Sequence, residues 1–385
     1  MSGFSDMRAR AYRLLDNILP FWQALRDEEF GGYYGFMDLD LNLDKKADKG
    51  CILNSRILWF FSEAAMLLRQ DSLLNDARRA YKFLAERCID KDHGGVFWSV
   101  TYDGLPADTT KHTYNQAFAV YALSAYYEAS GNRDALKLAG SMFDLIEDKC
   151  RDEGGYLEAF DRAFTPADND KLSENGVMAG RTMNTLLHLF EAYSGLYRAT
   201  KSPAAAEAMR RVLDTFESKI YNPMLGRQEV FFDLEWNSII DLTSYGHDIE
   251  SSWLVEWGCE MLGDGALLDR IRAICRTLAG AVYGRAFREG SLRNECVRGE
   301  EDERRVWWVQ AEAVVGFLNA GMTGPAEEIL TFIEKKIIDK RPGSEWLSEV
   351  YPDGSHTENR KPIVEQWKCP YHNGRMCLEI LRRIK

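Results

Sequence analysis

The sequence has few histidines and lacks the common metal and nucleotide motifs. Only six of its 385 residues are histidine, and they form neither an HxxxH nor an HExxH pair, so a zinc site of those types is not indicated. Glycine-rich phosphate loops of the GxGxxG and GxxxxGK types are also absent. We therefore expect neither a bound metal nor a nucleotide cofactor.

Cysteine pairs and long apolar runs are missing as well. The eight cysteines form no CxxC pair, and most lie in or beside apolar stretches, where free thiols behave as small hydrophobic side chains. The N-terminus shows no basic stretch followed by an apolar run, and no uninterrupted apolar run reaches membrane-spanning length. These absences predict a reduced, cytoplasmic protein without a membrane segment.

Positive charge is in deficit. The 48 Lys and Arg residues against 60 Asp and Glu residues give a net charge of −12, which disfavours nucleic acid or an anionic membrane as a partner. The chain is rich in rings, with ten Trp and seventeen Tyr. Such rings pack in cores, and they also form flat surfaces for sugars.

A short motif recurs along the whole chain. Each copy begins with one or two glycines and continues with aromatic or β-branched residues, which favours a tight turn followed by a short strand. The spacing of about 53–72 residues indicates a repeated supersecondary unit. The copies lie at 31–36, 94–99, 154–160, 226–232, 290–295 and 343–349.

Helix-period stretches lie on both sides of every turn. The stretches before the turns are amphipathic, and the stretches after them are apolar on most faces, which is typical of buried helices. The amphipathic set lies at about 6–26, 72–89, 133–150, 203–220, 265–284 and 325–339. The apolar set lies at about 50–70, 112–130, 180–199, 246–263, 305–321 and 371–384.

Six buried helices alternating with six amphipathic ones predict an all-α (α/α)6 barrel, with short β-hairpins in the loops between helices. An open helical solenoid is the alternative, but it would need polar capping repeats at both ends. No linker-like composition interrupts the chain, so we predict one catalytic domain spanning residues 1–385. A closed barrel completes its own core, which favours a monomer.

The starts of the inner helices meet at one mouth of such a barrel, so their polar residues form the candidate site. In chain order these are Arg56; His112, Tyr114 and Asn115; Asn184 and His188; His247 and Glu250; Trp307, Trp308 and Glu312; and His372 and Arg375. Histidine exchanges protons near neutral pH more readily than other side chains. Histidines placed in phase with the repeat therefore point to a shared site of proton transfer.

Spacing suggests how some of these residues interact. His247 and Glu250 stand three positions apart, so we expect the carboxylate to orient the imidazole. His372 and Arg375 have the same spacing, and the cation should lower the imidazole pKa. Asn184 and His188 share one helical face. Of the other histidines, we expect His112 to be structural, and His93 and His356 to be exposed in polar turns.

The chain resembles the cellobiose 2-epimerases of the N-acylglucosamine 2-epimerase superfamily over essentially its full length. The segments that carry the resemblance are KKADKG at 45–50, SRILWF at 55–60, KHTYN at 111–115, LSENG at 172–176, MN at 183–184, SYGHDIE at 244–250, RVWWVQAE at 305–312 and WKCPYHNGR at 367–375. Together they are specific, whereas any one alone is weak. The resemblance also implies an (α/α)6 barrel without metal or nucleotide.

The resemblance implies roles for individual residues. The acid/base pair of the family matches His247 and His372, and His188 matches a histidine that helps the sugar ring to open. Polar contacts to the reacting sugar match Arg56, Tyr114, Asn184, Glu250 and Glu312, and aromatic contacts match Trp308 and Trp367. Arg375 lies in the last matching segment, and we assign it to substrate binding as well.

The implied reaction inverts C2 of the reducing-end glucose in a β-1,4-linked disaccharide such as cellobiose, lactose or mannobiose. One histidine would remove the C2 proton to give a cis-enediolate, and the other would return a proton to the opposite face. The alternatives are a monosaccharide epimerase or aldose–ketose isomerase of the same superfamily, an (α/α)6 glycoside hydrolase, and a non-catalytic sugar-binding protein. The hydrolase would draw its two carboxylates from Asp161, Glu174, Glu250 and Glu312.

Overall fold

The structure is a computed structural model that describes residues 2–173 and 175–384, and these residues form twelve α-helices in two concentric rings. The inner ring comprises α2 (Cys51–Leu68), α4 (Thr113–Ser130), α6 (Met183–Thr200), α8 (Tyr245–Glu260), α10 (Trp307–Asn319) and α12 (His372–Arg383). The outer ring comprises α1 (Ser2–Ala24), α3 (Leu73–Phe83), α5 (Arg133–Leu145), α7 (Pro203–Thr215), α9 (Gly265–Ala286) and α11 (Thr323–Phe332).

The inner ring is closed. Neighbouring inner helices pack in the order α2, α4, α6, α8, α10 and α12, and α12 packs back against α2. Helix α1 joins the two ends of the chain by packing on α12, where Arg8 Nη1 donates to the carbonyl oxygens of Leu381 at 2.8 Å and Ile384 at 2.6 Å. The predicted (α/α)6 barrel is therefore confirmed, and the open solenoid is wrong.

Burial separates the two rings as the sequence pattern predicts. In α2 every residue from Cys51 to Ala65 is buried. Helix α3 buries only one face, which includes its residues Leu73, Ala77, Ala80 and Phe83. Within the described residues, only α2 is long and apolar enough to cross a membrane, and 83% of that window is buried inside the protein. Its apolar character is explained by its place in the barrel wall.

Short antiparallel sheets of two or three strands connect the helices, which confirms the predicted hairpins. The strands are β1 (Phe36–Met37), β2 (Leu43–Asp44), β3 (Lys49–Gly50), β4 (Ser99–Val100), β5 (Pro106–Asp108), β6 (Lys111–His112), β7 (Arg151–Asp152), β8 (Gly155–Tyr156), β9 (Ala159–Phe160), β10 (Pro166–Ala167), β11 (Arg181–Thr182), β12 (Tyr221–Asn222), β13 (Arg227–Gln228), β14 (Phe231–Phe232), β15 (Leu242–Ser244), β16 (Phe287–Arg288), β17 (Ser291–Leu292), β18 (Glu295–Val297), β19 (Glu300–Glu301), β20 (Arg305–Val306) and β21 (Glu349–Val350).

Several outer helices end in a single π-helical turn, which explains why their sequence periodicity continues beyond the last α-helical residue. The turns are Leu84–Cys88 after α3, Ile146–Cys150 after α5, Phe216–Ile220 after α7 and Ile333–Ile337 after α11. A glycine turn follows soon after. At Gly94 and Gly95 the φ angles are 76° and 70°, a left-handed conformation that glycine adopts without strain.

Buried lysines fix the starts of two inner helices. Lys49, just before α2, donates to Asp27 Oδ2 at 2.6 Å and to the carbonyl oxygen of Gly31 at 2.9 Å. Lys111, just before α4, makes the equivalent contacts with Asp90 Oδ2 at 3.1 Å and the carbonyl oxygen of Gly94 at 2.8 Å. Each ion pair ties the start of an inner helix to the preceding outer turn, so the repeat positions the mouth of the barrel.

The inner helices approach one another closely enough to exclude a single methyl group. A Cβ atom added at Gly316 on α10 would lie 2.7 Å from the backbone oxygen of Ile249 on α8, and a backbone oxygen cannot rotate aside as the end of a side chain can. We expect Gly316→Ala to lower the free energy of unfolding by about 1–3 kcal/mol, as overpacked cores do. Chemical denaturation followed by circular dichroism measures the change.

Gly280 on the outer helix α9 is the matched control, because a Cβ atom there meets nothing within 4 Å. Gly280→Ala should raise stability by up to about 1 kcal/mol, since alanine favours a helix over glycine. If Gly316→Ala proved as stable as Gly280→Ala, the close packing of α8 and α10 would be refuted.

Candidate active site

The starts of the inner helices surround a cavity of about 470 Å³, a size that suits a small ligand. Residues from all six inner units reach it. Ten of the predicted site residues line its wall: Arg56, Tyr114, Asn184, His188, His247, Glu250, Trp307, Trp308, Trp367 and His372. The structure therefore brings together side chains that are more than 300 positions apart in the chain.

His372 is held by a carboxylate. Its Nδ1 lies 2.7 Å from Glu312 Oε1. The carboxylate accepts a hydrogen bond from Nδ1–H, so Nε2 is the ring nitrogen that is available to a ligand in the cavity. Burial lowers the pKa of His372 well below its ordinary value; Glu250 opposes this shift, and Arg375 adds to it. The predicted effect of Arg375 has the correct sign, although burial is the larger cause.

His247 is held by a hydroxyl group instead. Its Nδ1 lies 2.7 Å from Ser244 Oγ, and burial lowers its pKa to about 4. The expected orienting bond from Glu250 does not form: Glu250 Oε1 binds the Arg375 guanidinium, and Oε2 has no partner within the described residues. Glu250 therefore acts on His247 only through its charge, which raises the pKa against the effect of burial.

His188 has carboxylates on two sides. Its Nδ1 lies 2.9 Å from Glu191 Oε2, and its Nε2 lies 3.9 Å from Glu250 Oε1. Burial raises the pKa of Glu191, but Arg375 and the hydrogen bonds from His188 and Tyr371 outweigh it and lower the pKa to about 2. Glu191 is therefore ionised at neutral pH and keeps the Nδ1 proton of His188 in place.

Arg375 lies behind the cavity wall and joins these carboxylates. Its Nη1 donates to Glu191 Oε1 at 2.7 Å, and its Nη2 donates to Glu250 Oε1 and, at 2.7 Å, to Glu312 Oε1. Arg375 and Glu312 are each no more than 1% exposed and are not part of the cavity wall. Both residues were expected to contact the sugar; in this structure their contacts support His188 and His372 from behind the wall.

Arg56 provides a positive charge inside the cavity. Its Nη2 donates to Tyr114 Oη at 2.7 Å, and its guanidinium lies 4.2 Å from the centre of the Phe118 ring. Trp367 borders the same region, with its ring centre 5.8 Å from that of Tyr114. These rings and the buried surroundings fix the guanidinium in one place, as stabilisation of a developing negative charge requires.

Trp308 contacts both of the histidines that we assign to proton transfer. Its ring centre lies 4.9 Å from the His247 ring and 5.4 Å from the His372 ring. Trp307, its neighbour, is buried in the core and makes an edge contact with His372. Both tryptophans border the cavity, but Trp307 is buried whereas Trp308 is only partly buried, in keeping with their 100° separation on a helix.

Two buried oxygens on the cavity wall have no protein partner within the described residues. They are Asn184 Oδ1 and Glu250 Oε2. Buried polar atoms are nearly always hydrogen-bonded in folded proteins, so these oxygens are suited to accept hydrogen bonds from the hydroxyl groups of a ligand.

The residues that could hold a metal ion are few. Among the described residues, Glu250, Glu312 and His372 bring three ligand atoms within 4.8 Å of one another. The Arg375 guanidinium already donates to both carboxylates, and it supplies the positive charge that their oxygens attract. Arg375 therefore already occupies the position beside these carboxylate oxygens that a cation would take.

The outer part of the cavity contains polar residues that sequence analysis missed. They are Asn294, Glu295, Arg304, Glu349, Lys361 and Glu365. These residues come from loops and short strands, where no helical period marks them. Their only common feature in the sequence is a place between the glycine turn and the next inner helix.

The remaining candidates lie elsewhere. His112 is fully buried at the start of α4, where Nδ1 accepts from the Tyr114 backbone N–H and Nε2 contacts Asn169 Oδ1 at 2.9 Å. His93 and His356 are exposed.

Asp161 is exposed in a turn, where its side chain accepts hydrogen bonds from backbone N–H groups. Glu174 lies outside the described residues. Asn115 bonds a backbone carbonyl in the core.

Asp248, next to His247, makes the stability of the protein depend on pH. Its Oδ1 accepts from the backbone and side chain of Gln228 at 3.0 Å, and burial raises its pKa to about 7, against about 3.9 when unfolded. The protonated form stabilises the fold fully below the unfolded pKa, and this contribution is lost as pH rises through about 7. Asp248→Asn keeps the accepting oxygen and should lose less stability than wild type between pH 5 and pH 8.5.

The melting temperatures of both proteins at the two pH values measure this effect. Asp16→Asn, at an exposed position on α1, is the control and should leave the pH dependence unchanged. An identical pH dependence in wild type and Asp248→Asn would contradict a protonated Asp248 in the folded protein.

Residues 31–372 match the N-acylglucosamine 2-epimerase (GlcNAc 2-epimerase) family. The chain is 53% identical to the cellobiose 2-epimerase of Eubacterium cellulosolvens, over 96% of each chain. It is 49% identical to the cellobiose 2-epimerase of Ruminococcus albus, over 96% of this chain and 97% of the relative.

Solved structures give the same result. A sugar epimerase from a ruminal bacterium superposes with a TM-score of 0.96 at 47% identity, covering 99% of this chain and 98% of the other. The shared fold and the shared sequence thus extend over the whole barrel, including every inner helix that contributes to the cavity.

Proposed function

The chain belongs to the N-acylglucosamine 2-epimerase family, and from this premise we propose that it epimerises cellobiose at C2 of the reducing-end glucose, giving the mannose epimer. The observation that carries the proposal is the pair of imidazoles, His247 and His372, on one cavity wall with Trp308 in contact with both. Each imidazole has its Nδ1 held by a partner, so each presents Nε2 to the ligand.

The reaction requires one neutral and one protonated imidazole, so one of the pair must take up a proton although burial lowers the pKa of both. The sugar ring opens first, because a C2 proton is acidic only beside a free C1 aldehyde. The neutral imidazole takes the C2 proton, and the electrons of that C–H bond form the C1–C2 double bond of an enediolate with its negative charge on O1. The protonated imidazole then gives its proton to the opposite face of C2. The two imidazoles have exchanged states, and solvent resets them.

Other cavity residues assist these steps. Arg56 stabilises the charge that grows on O1, as a fixed cation in a buried site. His188, whose Nδ1 proton is fixed by Glu191, assists ring opening. Asn184 Oδ1 and Glu250 Oε2 lack protein partners in the described part of the chain and accept hydrogen bonds from the sugar hydroxyls.

A second sugar ring occupies the outer cavity in this proposal. Trp308 and Trp367 are only partly buried, so each offers a ring face for stacking. Tyr114 lies between Arg56 and Trp367 and helps to orient the sugar. On this basis we extend the substrate range to lactose and mannobiose, which also carry a β-1,4-linked reducing-end sugar.

The described carboxylates predicted for a glycoside hydrolase are not arranged for that chemistry. That chemistry needs two carboxylates on either side of the scissile bond, at least about 5 Å apart. Glu250 and Glu312 instead bind the same Nη2 atom of Arg375, and Asp161 is exposed in a turn.

The setting of the enzyme follows from its composition. The net charge of −12 disfavours nucleic acid and anionic membranes as partners, and all eight cysteines are free, which fits a reducing cytoplasm. We propose one catalytic domain over residues 1–385, acting as a monomer, and a reaction that uses side chains alone without metal or nucleotide.

Both histidines of the pair should be required for activity. We expect His247→Ala and His372→Ala each to lower kcat for cellobiose epimerisation by at least about 100-fold, the contribution of a positioned acid/base group. Product formation followed by chromatography gives the rate, and circular dichroism shows whether each variant is folded. A folded variant with more than about a tenth of wild-type activity would exclude that histidine as a proton carrier.

The product formed in D₂O should carry deuterium at C2 of the reducing-end sugar and at no other carbon. The returning proton comes from a different histidine from the one that accepted the first, so solvent label enters in the first turnover. NMR of the product of cellobiose measures its position. Epimer without label at C2 would refute the proposed proton transfer, and a ketose labelled at C1 would identify an aldose–ketose isomerase.

A further inference from the structure

The three cavity histidines differ in the group that holds Nδ1. Glu191 holds His188, and Glu312 holds His372, both through carboxylates. His247 is the exception, because its Nδ1 contacts the hydroxyl group of Ser244 at 2.7 Å. Within the described residues, no carboxylate hydrogen-bonds to the His247 ring. Ser244 also lines the cavity.

The position of Ser244 shows that this hydroxyl is diverted from its usual role. Ser244 is the N-cap residue of α8, where a serine side chain normally accepts a backbone N–H of the first helical turn. Thr182 occupies the same place before α6 and caps it in this way, accepting from the backbone N–H of Thr185. Ser244 makes no such cap and binds the imidazole instead.

A hydroxyl group can serve an imidazole in every protonation state. When Nδ1 carries a proton, the serine oxygen accepts it, and Nε2 is either a free base or, in the imidazolium, an acid. When Nδ1 is bare, the same hydroxyl rotates and donates to it. A carboxylate can only accept. The ring orientation of His247 is therefore kept while its charge changes, without burying a fixed negative charge beside it.

We propose that Ser244 is the positioning residue of His247, which holds Nε2 toward C2 of the sugar while His247 alternates between base and acid. This inference rests on the proposed epimerase function and gives a role to Ser244, which the sequence analysis placed in the segment SYGHDIE without assigning it one. Ser244 acts through the imidazole and forms no bond with the reacting carbon.

Several titratable groups surround His247 and set the background for a test by pH. Glu250 lies on the same helix, His188 faces it from α6, and His372 lies across Trp308 on α12. Glu295 on β18 is paired with Ser244 in the strand register. None of these groups changes when only the serine is replaced, so a selective shift reports on the Ser244 contact.

The experiment compares Ser244→Ala, Ser244→Thr and Ser244→Asp with wild type on cellobiose. Ser244→Ala removes the oxygen that accepts a hydrogen bond from Nδ1–H, which destabilises the His247 imidazolium. We therefore expect the limb of the kcat/KM pH profile that reports the titration of His247 to move to lower pH. A carboxylate stabilises the imidazolium, so in Ser244→Asp the same limb should move to higher pH. The other limb should stay in place in both variants.

The rates should change in parallel. We expect kcat of Ser244→Ala to fall about tenfold or more with a smaller change in KM, as for other partners that orient a functional histidine, and Ser244→Thr to recover most of the loss because it keeps the hydroxyl. Ser252→Ala is the control, since it removes a buried hydroxyl of α8 whose one hydrogen bond within the described residues goes to the carbonyl oxygen of Ile249. It should behave as wild type.

Each result decides between the proposals. If wild type does not epimerise cellobiose, the proposed function fails. If wild type is active and folded Ser244→Ala keeps its kcat and pH profile, the role of Ser244 is refuted and the function stands. Equal movement of both limbs, or no recovery in Ser244→Thr, would likewise overturn the role. Should Ser244→Ala fail to fold, the shift in Ser244→Asp and the recovery in Ser244→Thr still provide the test.

Discussion

The site depends on one buried guanidinium. Arg375 on the last inner helix binds Glu191, Glu250 and Glu312, which come from three other inner helices. Three carboxylates this close would repel one another and resist ionisation without a cation between them. Removing one partner of such a network leaves an uncompensated buried charge. The same contacts that hold the histidines therefore also hold the inner ring together at the mouth.

The barrel places its charge networks at two levels with different consequences. Below the cavity, Glu63 binds Arg198 at 2.5 Å and also Arg382, and this joins α2, α6 and α12 near their C-terminal ends. At the mouth, the buried carboxylates are arranged behind imidazoles that face open space. Ion pairs close one end of the ring, and the cavity lies at the other end. The reactive groups are therefore concentrated in one cavity.

Much of this arrangement is visible in the sequence, and the parts that are not share a cause. The repeat predicts the inner helices and so brings His188, His247 and His372 to one mouth. It does not predict their partners, because a spacing of three residues shows only that two side chains can meet. Glu250 stands three residues from His247, but its Oε1 binds the Arg375 guanidinium and its Oε2 does not reach the His247 ring.

The sequence alone determined the alternation of buried and amphipathic helices, the glycine turns and the histidines at the helix starts, because these follow from local period and residue type. Only the tertiary structure decided that Glu312 serves His372 across 60 positions, that Arg375 supports the wall without facing the cavity, and that Ser244 binds an imidazole instead of capping its helix. Those choices depend on which buried polar groups compete for the same partner, and that competition exists only once the ring has closed.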